Sequence, residues 1–415
     1  MKINCGVFID TITIDINTIF RKRKKKTATE KRKRVFMKLL KLSKKIFKHR
    51  SIFDISVDKQ KQIVNRFLDP KDNVERSFFQ YVCQKNLDNN IKYLLLNLAA
   101  LFFLPYFYFK KNDCLYEEDA EAVFLSAGVV RREILPEELT NQYQNVVEMK
   151  ELSGCLDKEG KNYFFSIAKR YPFSFYFLLK ILIKIRIYTF ALTNYNPKTI
   201  IVCGEYSFTS SVLTEYCNRR GVQHVDVMHG EKLFYIRDGF FYYNSVYVWD
   251  EHYIKLFNKL RADAGQFVIA LPPSMQKREI IKTEKEVDYT YYLQKETCME
   301  LKNIRQSLMK LYKKGKKVAI RPHPIYSDIN TISDLFDFCE IERKDAIDII
   351  SSISRTRNVI SLYSTVLYQA YLNDIQIIID DISNQERYKR LLECDYMMLN
   401  KEHKLLSNEI SVVSG

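Results

Sequence analysis

A chain of 415 residues that is 47% apolar is too long for one ordinary core and suits two domains of α/β type, while only 11 glycines exclude collagen-like and loop-dominated classes. Nine cysteines, scattered and without a C-x-x-C pair, fit neither a disulfide framework nor a zinc site and point to a reducing cytosol. Of the net charge of +16, residues Met1 to Arg50 carry +14 (17 Lys and Arg against 3 Asp and Glu), so the body is nearly neutral and the N-terminal region is the part that calls for an anionic partner.

The start lacks a short basic stretch followed by an apolar run and a small-residue cleavage site, so no signal peptide is expected. Lys2 to Phe20 alternates Ile, Thr and Val in a strand-like way. Two charge runs follow, Arg21 to Lys26 and Lys31 to Arg34. From Glu30 to Arg50 the period becomes helical: Phe36, Leu39, Leu40, Ile46 and Phe47 share one face, and Lys38, Lys41, Lys44, Lys45 and Lys48 fill the other. Such a helix either lies on an anionic membrane surface or packs on the body. No RNP-like, zinc-finger or helix-turn-helix signal accompanies the charge, so no nucleic-acid partner is expected.

Tyr93 to Phe109 is almost wholly apolar, interrupted by Asn97 and Pro105 and flanked by Lys92 and Lys110. It falls short of the roughly 20 residues of a membrane span and predicts a buried or interfacial helix. Phe173 to Tyr188 predicts an amphipathic helix with Lys180, Lys184 and Arg186 on one side. From Pro197 the chain alternates between strand and helix. Strands are expected at Thr199 to Cys203, Val222 to Met228, Ser245 to Trp249, Phe267 to Ala270, Lys317 to Ile320, Asn358 to Leu362, Ile375 to Ile379 and Tyr396 to Leu399. Helices are expected at Ser207 to Arg220, stopped by Gly221, at Glu251 to Asp263, at Glu296 to Lys314, stopped by Gly315, at Asp345 to Thr356 and at Ser364 to Leu372. Strands separated by helices of ten to fifteen residues predict parallel sheets covered on both faces, with ligands beyond the carboxyl ends of the strands.

Three strand ends carry chemistry. In Ile320-Arg321-Pro322-His323-Pro324 two prolines stiffen the loop and remove two amide donors, so the imidazole is presented from a fixed backbone with a guanidinium nearby. In Leu362-Tyr363-Ser364-Thr365 two hydroxyls open a helix, which suits either N-capping or an anion, and the two roles are compatible. Two successive βα elements ending in phosphate-suited groups fit a nucleotide leaving group, whose developing charge is what sugar transfer must stabilise. The third strand end, Val227-Met228-His229-Gly230-Glu231, offers an imidazole and a carboxylate. Glu205 follows Gly204 after the preceding strand. A base for an acceptor hydroxyl is a His or a carboxylate, which ranks His229 ahead of Glu205 and Glu231. Glu342 is a weaker candidate for a nucleoside contact. The aromatic loop around Arg237-Asp238-Gly239 suits an acceptor sugar or plain packing. There is no G-x-G-x-x-G, no P-loop and no H-E-x-x-H, and Asp380-Asp381 lacks the spaced D-x-D of metal-dependent transferases, so neither a metal nor a resident cofactor is expected.

A strand ending in His-Pro, followed some forty residues later by a strand ending in Ser-Thr, resembles the donor half of the GT-B bacterial sialyltransferases and polysialyltransferases, and is similar to the wall-polymer glycerophosphotransferases. The resemblance covers roughly Thr199 to Leu399. It implies two Rossmann-like domains with parallel sheets facing a central cleft: an acceptor-side domain over 51–265, with residues 1–50 as a basic segment, and a nucleotide-donor domain over 266–415. It further implies that His323 and Ser364-Thr365, with Arg321 and Glu342 nearby, hold the donor nucleotide, CMP-linked sialic acid by preference. The sialyltransferases carry an acidic pair before a glycine as base, which is missing here. His229-Gly230 looks instead like the base of the glycerol phosphate polymerases. The expected activity is glycosyl transfer to a bacterial capsule, O-antigen or lipid-linked glycan at the inner face of the cytoplasmic membrane, with the basic N-terminal region on anionic lipid. The alternatives are a glycerophosphotransferase, a UDP-sugar hexosyltransferase on the same fold, or a non-catalytic membrane- or polyanion-binding protein.

Overall fold

The computed structural model describes residues 52–110, 118–128, 130–151, 153–276 and 285–411. The strand-like Lys2 to Phe20 and the basic helix over Glu30 to Arg50 lie outside these. The chain divides into two units, one comprising residues up to His229 with Tyr235–Pro272, the other comprising Gly230–Phe234 with Pro273–Gly415. Each is built on its own six-stranded, wholly parallel sheet, so the α/β class of two Rossmann-like domains expected of a GT-B chain is present.

The first sheet contains β1 (Ala122–Phe124), β2 (Val146–Glu148), β3 (Thr199–Val202), β4 (Gln223–Val227), β5 (Ser245–Val248) and β6 (Phe267–Ile269), in the order β2-β1-β3-β4-β5-β6. The order reverses between β1 and β3, the point at which parallel α/β sheets open a crevice at their carboxyl ends. Because β6 pairs with β5, with Val246 opposite Phe267, the boundary falls after Pro272 and not at Gly265.

The helix Phe175–Tyr195 is the spine of this unit's core. It was expected to be amphipathic, yet nearly every position is buried, including Lys180 and Arg186. The Arg186 guanidinium stays charged and solvated by carbonyls, donating to Phe107, Lys110 and Gly154 at 2.8–2.9 Å, which offsets the cost of its burial. Packed beside it is the helix Asn90–Phe109, which begins three residues earlier than the apolar run suggested and carries Pro105 within it. At 20 residues it is long and apolar enough to cross a membrane by length and composition. It is not a buried helix: only 22% of its most apolar window lies inside the protein.

The second sheet holds β7 (Val287–Tyr292), β8 (Val318–Arg321), β9 (Glu340–Ile341), β10 (Thr356–Ser361), β11 (Gln376–Ile379) and β12 (Lys404–Leu405). Their order, β9-β8-β7-β10-β11-β12, is 3-2-1-4-5-6 in the unit's own count, the dinucleotide-fold arrangement, and the switch point lies between β7 and β10. Tyr289, Tyr291, Ile320, Ile360 and Ile378 bury the sheet against the helix Cys298–Lys313. That helix starts with a capping box between Thr297 and Glu300 and stops at Gly315, whose φ of +76° a side chain would strain. The expected strand Tyr396 to Leu399 is instead a 3-10 turn, Met397–Asn400, and the edge strand comes five residues later. Six of the described cysteines are free thiols, whereas buried Cys155 is disulfide-bonded, a departure from thiols reduced throughout.

Candidate functional site

The second unit's strand ends converge through three consecutive residues that follow β7. Gln294 Nε2 donates to Ser364 Oγ at 2.9 Å, directly across the switch point. Its neighbour Lys295 places its ammonium 5.6 Å from the Tyr326 ring centroid. Tyr326 in turn stacks on the His323 imidazole, with centroids 4.6 Å apart and planes within 28°. One short loop therefore ties the helix start after β10 to the His-Pro loop after β8.

His323 is half-buried and its protonation is legible from its partners. Nδ1 accepts the amides of Ile325 and Tyr326 at 3.1 and 3.3 Å, so the ring proton sits on Nε2, which is left as a donor. Burial lowers its pKa, so the ring is a neutral donor near pH 7. The loop is held from the other side by the His323 amide, which donates to Ser327 Oγ at 2.8 Å. Ser364 is the N-cap of the helix Thr365–Leu372; its Oγ accepts the Val366 amide at 3.2 Å as well as the Gln294 amide. With both lone pairs used, the Ser364 hydroxyl proton is oriented to donate elsewhere, and Thr365 adds a half-buried hydroxyl at the helix start. A neutral imidazole N–H, an ammonium, a hydroxyl and a helix N-terminus make a donor set for an oxyanion.

Glu296 completes the loop. Both its oxygens accept the Gln294 backbone N–H at 2.8 Å. Burial pushes its pKa up to about 7, assisted by Glu300 and opposed by the Gln294 amide and Arg387. Gln294 and Lys295 escaped the sequence reading because β7 itself did, and Glu296, expected to open a helix, lies just ahead of one that starts at Cys298. The Val-Asp-Tyr-Thr-Tyr-Tyr run of β7 does alternate toward the core, with Tyr289 and Tyr291 on the inner face, and that was the available signal.

Arg321 and Glu342 belong to a separate buried network. Arg321 donates to the Ile347 carbonyl at 2.8 Å and faces the Glu342 carboxylate at 3.6 Å. Glu342 also accepts from Ser352, which accepts in turn from Tyr292. Burial raises the Glu342 pKa, and Ser352, Arg321 and Arg355 oppose it. The guanidinium and carboxylate neutralise each other beneath β8 and β9.

In the first unit the turns after β3 and β4 assemble a second cluster. Gly204 donates its amide to Asp226 Oδ1 at 2.6 Å, and a Cβ at this glycine would meet the Tyr243 hydroxyl at 3.3 Å. Glu205 is fully buried. The helix Asn73–Leu87 clamps these turns: Gln80 donates to the carbonyls of Glu205 and Arg237, and Gln84 to those of Tyr206 and Arg237, at 2.6–3.2 Å. His229 is half-buried beside the Tyr206 ring, over which Arg237 lies at 5.1 Å. Burial works against the Arg237 charge, but Asp238, Tyr235 and Glu205 outweigh it and keep the pKa above its usual range. Glu205, His229, Tyr206 and Arg237 are thus gathered at the carboxyl ends of β3 and β4. Glu231 falls in the second unit, where its carbonyl accepts from the Tyr363 hydroxyl at 3.4 Å. Among the described residues there is no group of three or more His, Cys, Asp or Glu that suits a metal ion.

No protein-family model matches this chain, and no curated protein does. Among solved structures it is similar to the wall teichoic acid polymerase TagF, in a CDPG-soaked H444N form, at 8% identity and a TM-score of 0.41, covering 76% of this chain and 85% of that one. It is also similar to UDP-GlcNAc 2-epimerase from Neisseria meningitidis bound to UDP-GlcNAc (10% identity, TM-score 0.39, 67% and 85% covered). A third is UDP-N-acetylglucosamine 2-epimerase from Rickettsia bellii (12%, 0.38, 72% and 94%). At such identities and scores the likeness assigns no activity.

Proposed function

We propose that this chain is a nucleotide-sugar-dependent glycosyltransferase whose second unit binds the donor phosphate. The observation that carries the reading is the loop Gln294-Lys295-Glu296, which links Ser364 at a helix start to the His323 stack at the switch point of a 3-2-1-4-5-6 sheet. His323 Nε2, Lys295, Ser364 and Thr365 hold the phosphate. A donor set with one ammonium and one helix start suits a single phosphate better than two, which favours a CMP-linked acidic sugar such as sialic acid over CDP- or UDP-linked donors.

We assign activation of the acceptor hydroxyl to the first unit, with His229 as base and Glu205 behind it. The acceptor oxygen loses its proton to the base and bonds to the anomeric carbon. The bond from that carbon to the phosphate oxygen breaks, and its electron pair leaves on the nucleotide, where the donors of the second unit stabilise it. The acceptor is a bacterial capsule, O-antigen or lipid-linked glycan, and the enzyme works at the inner face of the cytoplasmic membrane with its basic N-terminal region on anionic lipid.

A thermal-shift series with CMP, CDP, UDP, GDP and ADP tests this, because a ligand that binds the folded state alone raises the Tm. Stabilisation by CMP that is lost in His323→Ala is the expected result. Stabilisation by CDP or UDP instead supports a glycerophosphotransferase or hexosyltransferase, and none by any nucleotide refutes the donor site.

A further inference from the structure

The helix Asn90–Phe109 is apolar on both faces, and among the described residues only one face packs against the core. Tyr93, Leu96 and Ala100 are buried, and Leu104, Phe107 and Tyr108 pack against the core. On the opposite side Leu94, Leu98, Leu101, Phe102, Tyr106 and Phe109 follow one another at intervals of one, three or four and are 44–77% exposed. From Leu94 to Phe109 this stripe is about 24 Å long. A contiguous apolar surface of that extent on a protein marks an interaction site.

We infer that this outward face is a bilayer-docking surface, with the helix lying flat in the membrane interface and its inner face still in the protein core. Lipid is the occupant that the charges favour. The helix has one side chain charged at neutral pH, Lys92, which is buried and paired with Asp88 at 2.5 Å, so the outward stripe is free of charge. Its far end carries aromatic residues and Lys110, whose ammonium lies 5.8 Å from the Tyr106 ring, the mixture that settles at headgroup depth. The sequence that precedes the described residues brings +14 within Met1 to Arg50, complementary to anionic phospholipid. A spanning orientation is excluded by the inner face: a helix whose Tyr93, Leu96 and Ala100 are committed to a soluble unit's core cannot have lipid on all sides. This surface is distinct from the nucleotide site and stands or falls separately from it.

The chain has one tryptophan, Trp249, which is buried and gives a constant background. Phe102→Trp therefore reports on the stripe. In full-length protein mixed with phosphatidylglycerol/phosphatidylcholine vesicles, its emission should move to the blue and be quenched by brominated acyl chains. The pair Leu94→Gln and Leu98→Gln should cut vesicle partitioning at least about tenfold with unchanged Tm and unchanged nucleotide response. Emission that ignores the vesicles overturns the inference. So does emission already blue in buffer, which assigns the face to another copy or to the N-terminal segment. Partitioning unaffected by the glutamine pair also overturns it.

Discussion

His224 gives the chain a defined acid sensitivity. The residue lies on β4 and is fully buried. The Thr214 hydroxyl has one proton and two carbonyl partners, Ser210 at 3.0 Å and Tyr242 at 2.7 Å, so toward His224 Nδ1, at 2.8 Å, it accepts. Nδ1 therefore carries the ring proton and Nε2 accepts from the Tyr188 hydroxyl at 2.8 Å. A second proton would break that last bond inside a dry core. Burial, with Lys184 adding to it, lowers the pKa from 6.5 to about 3. The unfolded chain takes up a proton as pH falls through 6.5 while the fold resists until about 3, so stability is full above pH 6.5 and is lost progressively below it. At 1.36 kcal/mol per pH unit, the loss at pH 5 is about 2 kcal/mol. Urea unfolding followed from pH 5 to 8 should show this slope in wild type, and His224→Gln, which has no proton to gain, should flatten it by about 2 kcal/mol. Parallel pH profiles for the two proteins would refute the reasoning.

Gln294→Ala should weaken the stabilising response to the preferred nucleotide about tenfold, the cost of a lost charge-orienting hydrogen bond, with little change in the Tm of the free protein; an unchanged nucleotide response would remove Gln294 from the site. Glu296 keeps its proton to about pH 7 in the fold but only to about 4.5 unfolded, so it costs stability as pH rises across that window. Glu296→Gln should therefore raise the Tm at pH 8 and leave it unchanged at pH 4.5, as differential scanning calorimetry would show. Arg321→Met removes the nearer guanidinium from Glu342 and leaves it with Ser352 and Arg355, and should destabilise by about 2 kcal/mol, read from urea unfolding. If Arg321 binds phosphate instead, the same variant loses nucleotide response with stability intact.

Strand–helix alternation after Pro197 was legible where a strand carries a short apolar run, as in Ile200-Ile201-Val202 and Ile377-Ile378-Ile379, and where a helix stops at a glycine. Gly221 and Gly315, at φ of +69° and +76°, are such stops. Three-residue strands are another matter. Ala122–Phe124 and Val146–Glu148 are too short to show a period, and they exist because Val123 and its neighbours are covered from both sides by distant segments. The site was readable where a strand and its loop were read together, as at His323 and Ser364. It was unreadable at Gln294 to Glu296, whose meaning depends on β7 standing between β8 and β10. The pairing of Arg321 with Glu342 depends on β8 and β9 being neighbours, a fact of topology that spacing of 21 residues does not carry.

The whole of the second sheet is written in one uninterrupted stretch, Val287 to Leu405, and the only residues that join its unit from elsewhere are Gly230–Phe234. Phe234 is the peg of that small graft, its amide held by the Cys394 carbonyl at 2.7 Å. On the proposed function, donor recognition is a nearly self-contained cassette. Among the described residues, the chain before Pro273 contributes no strand to the sheet that places His323, Lys295 and Ser364. That separation marks Pro272-Pro273 as a natural seam at which the second unit can be joined to a different first half.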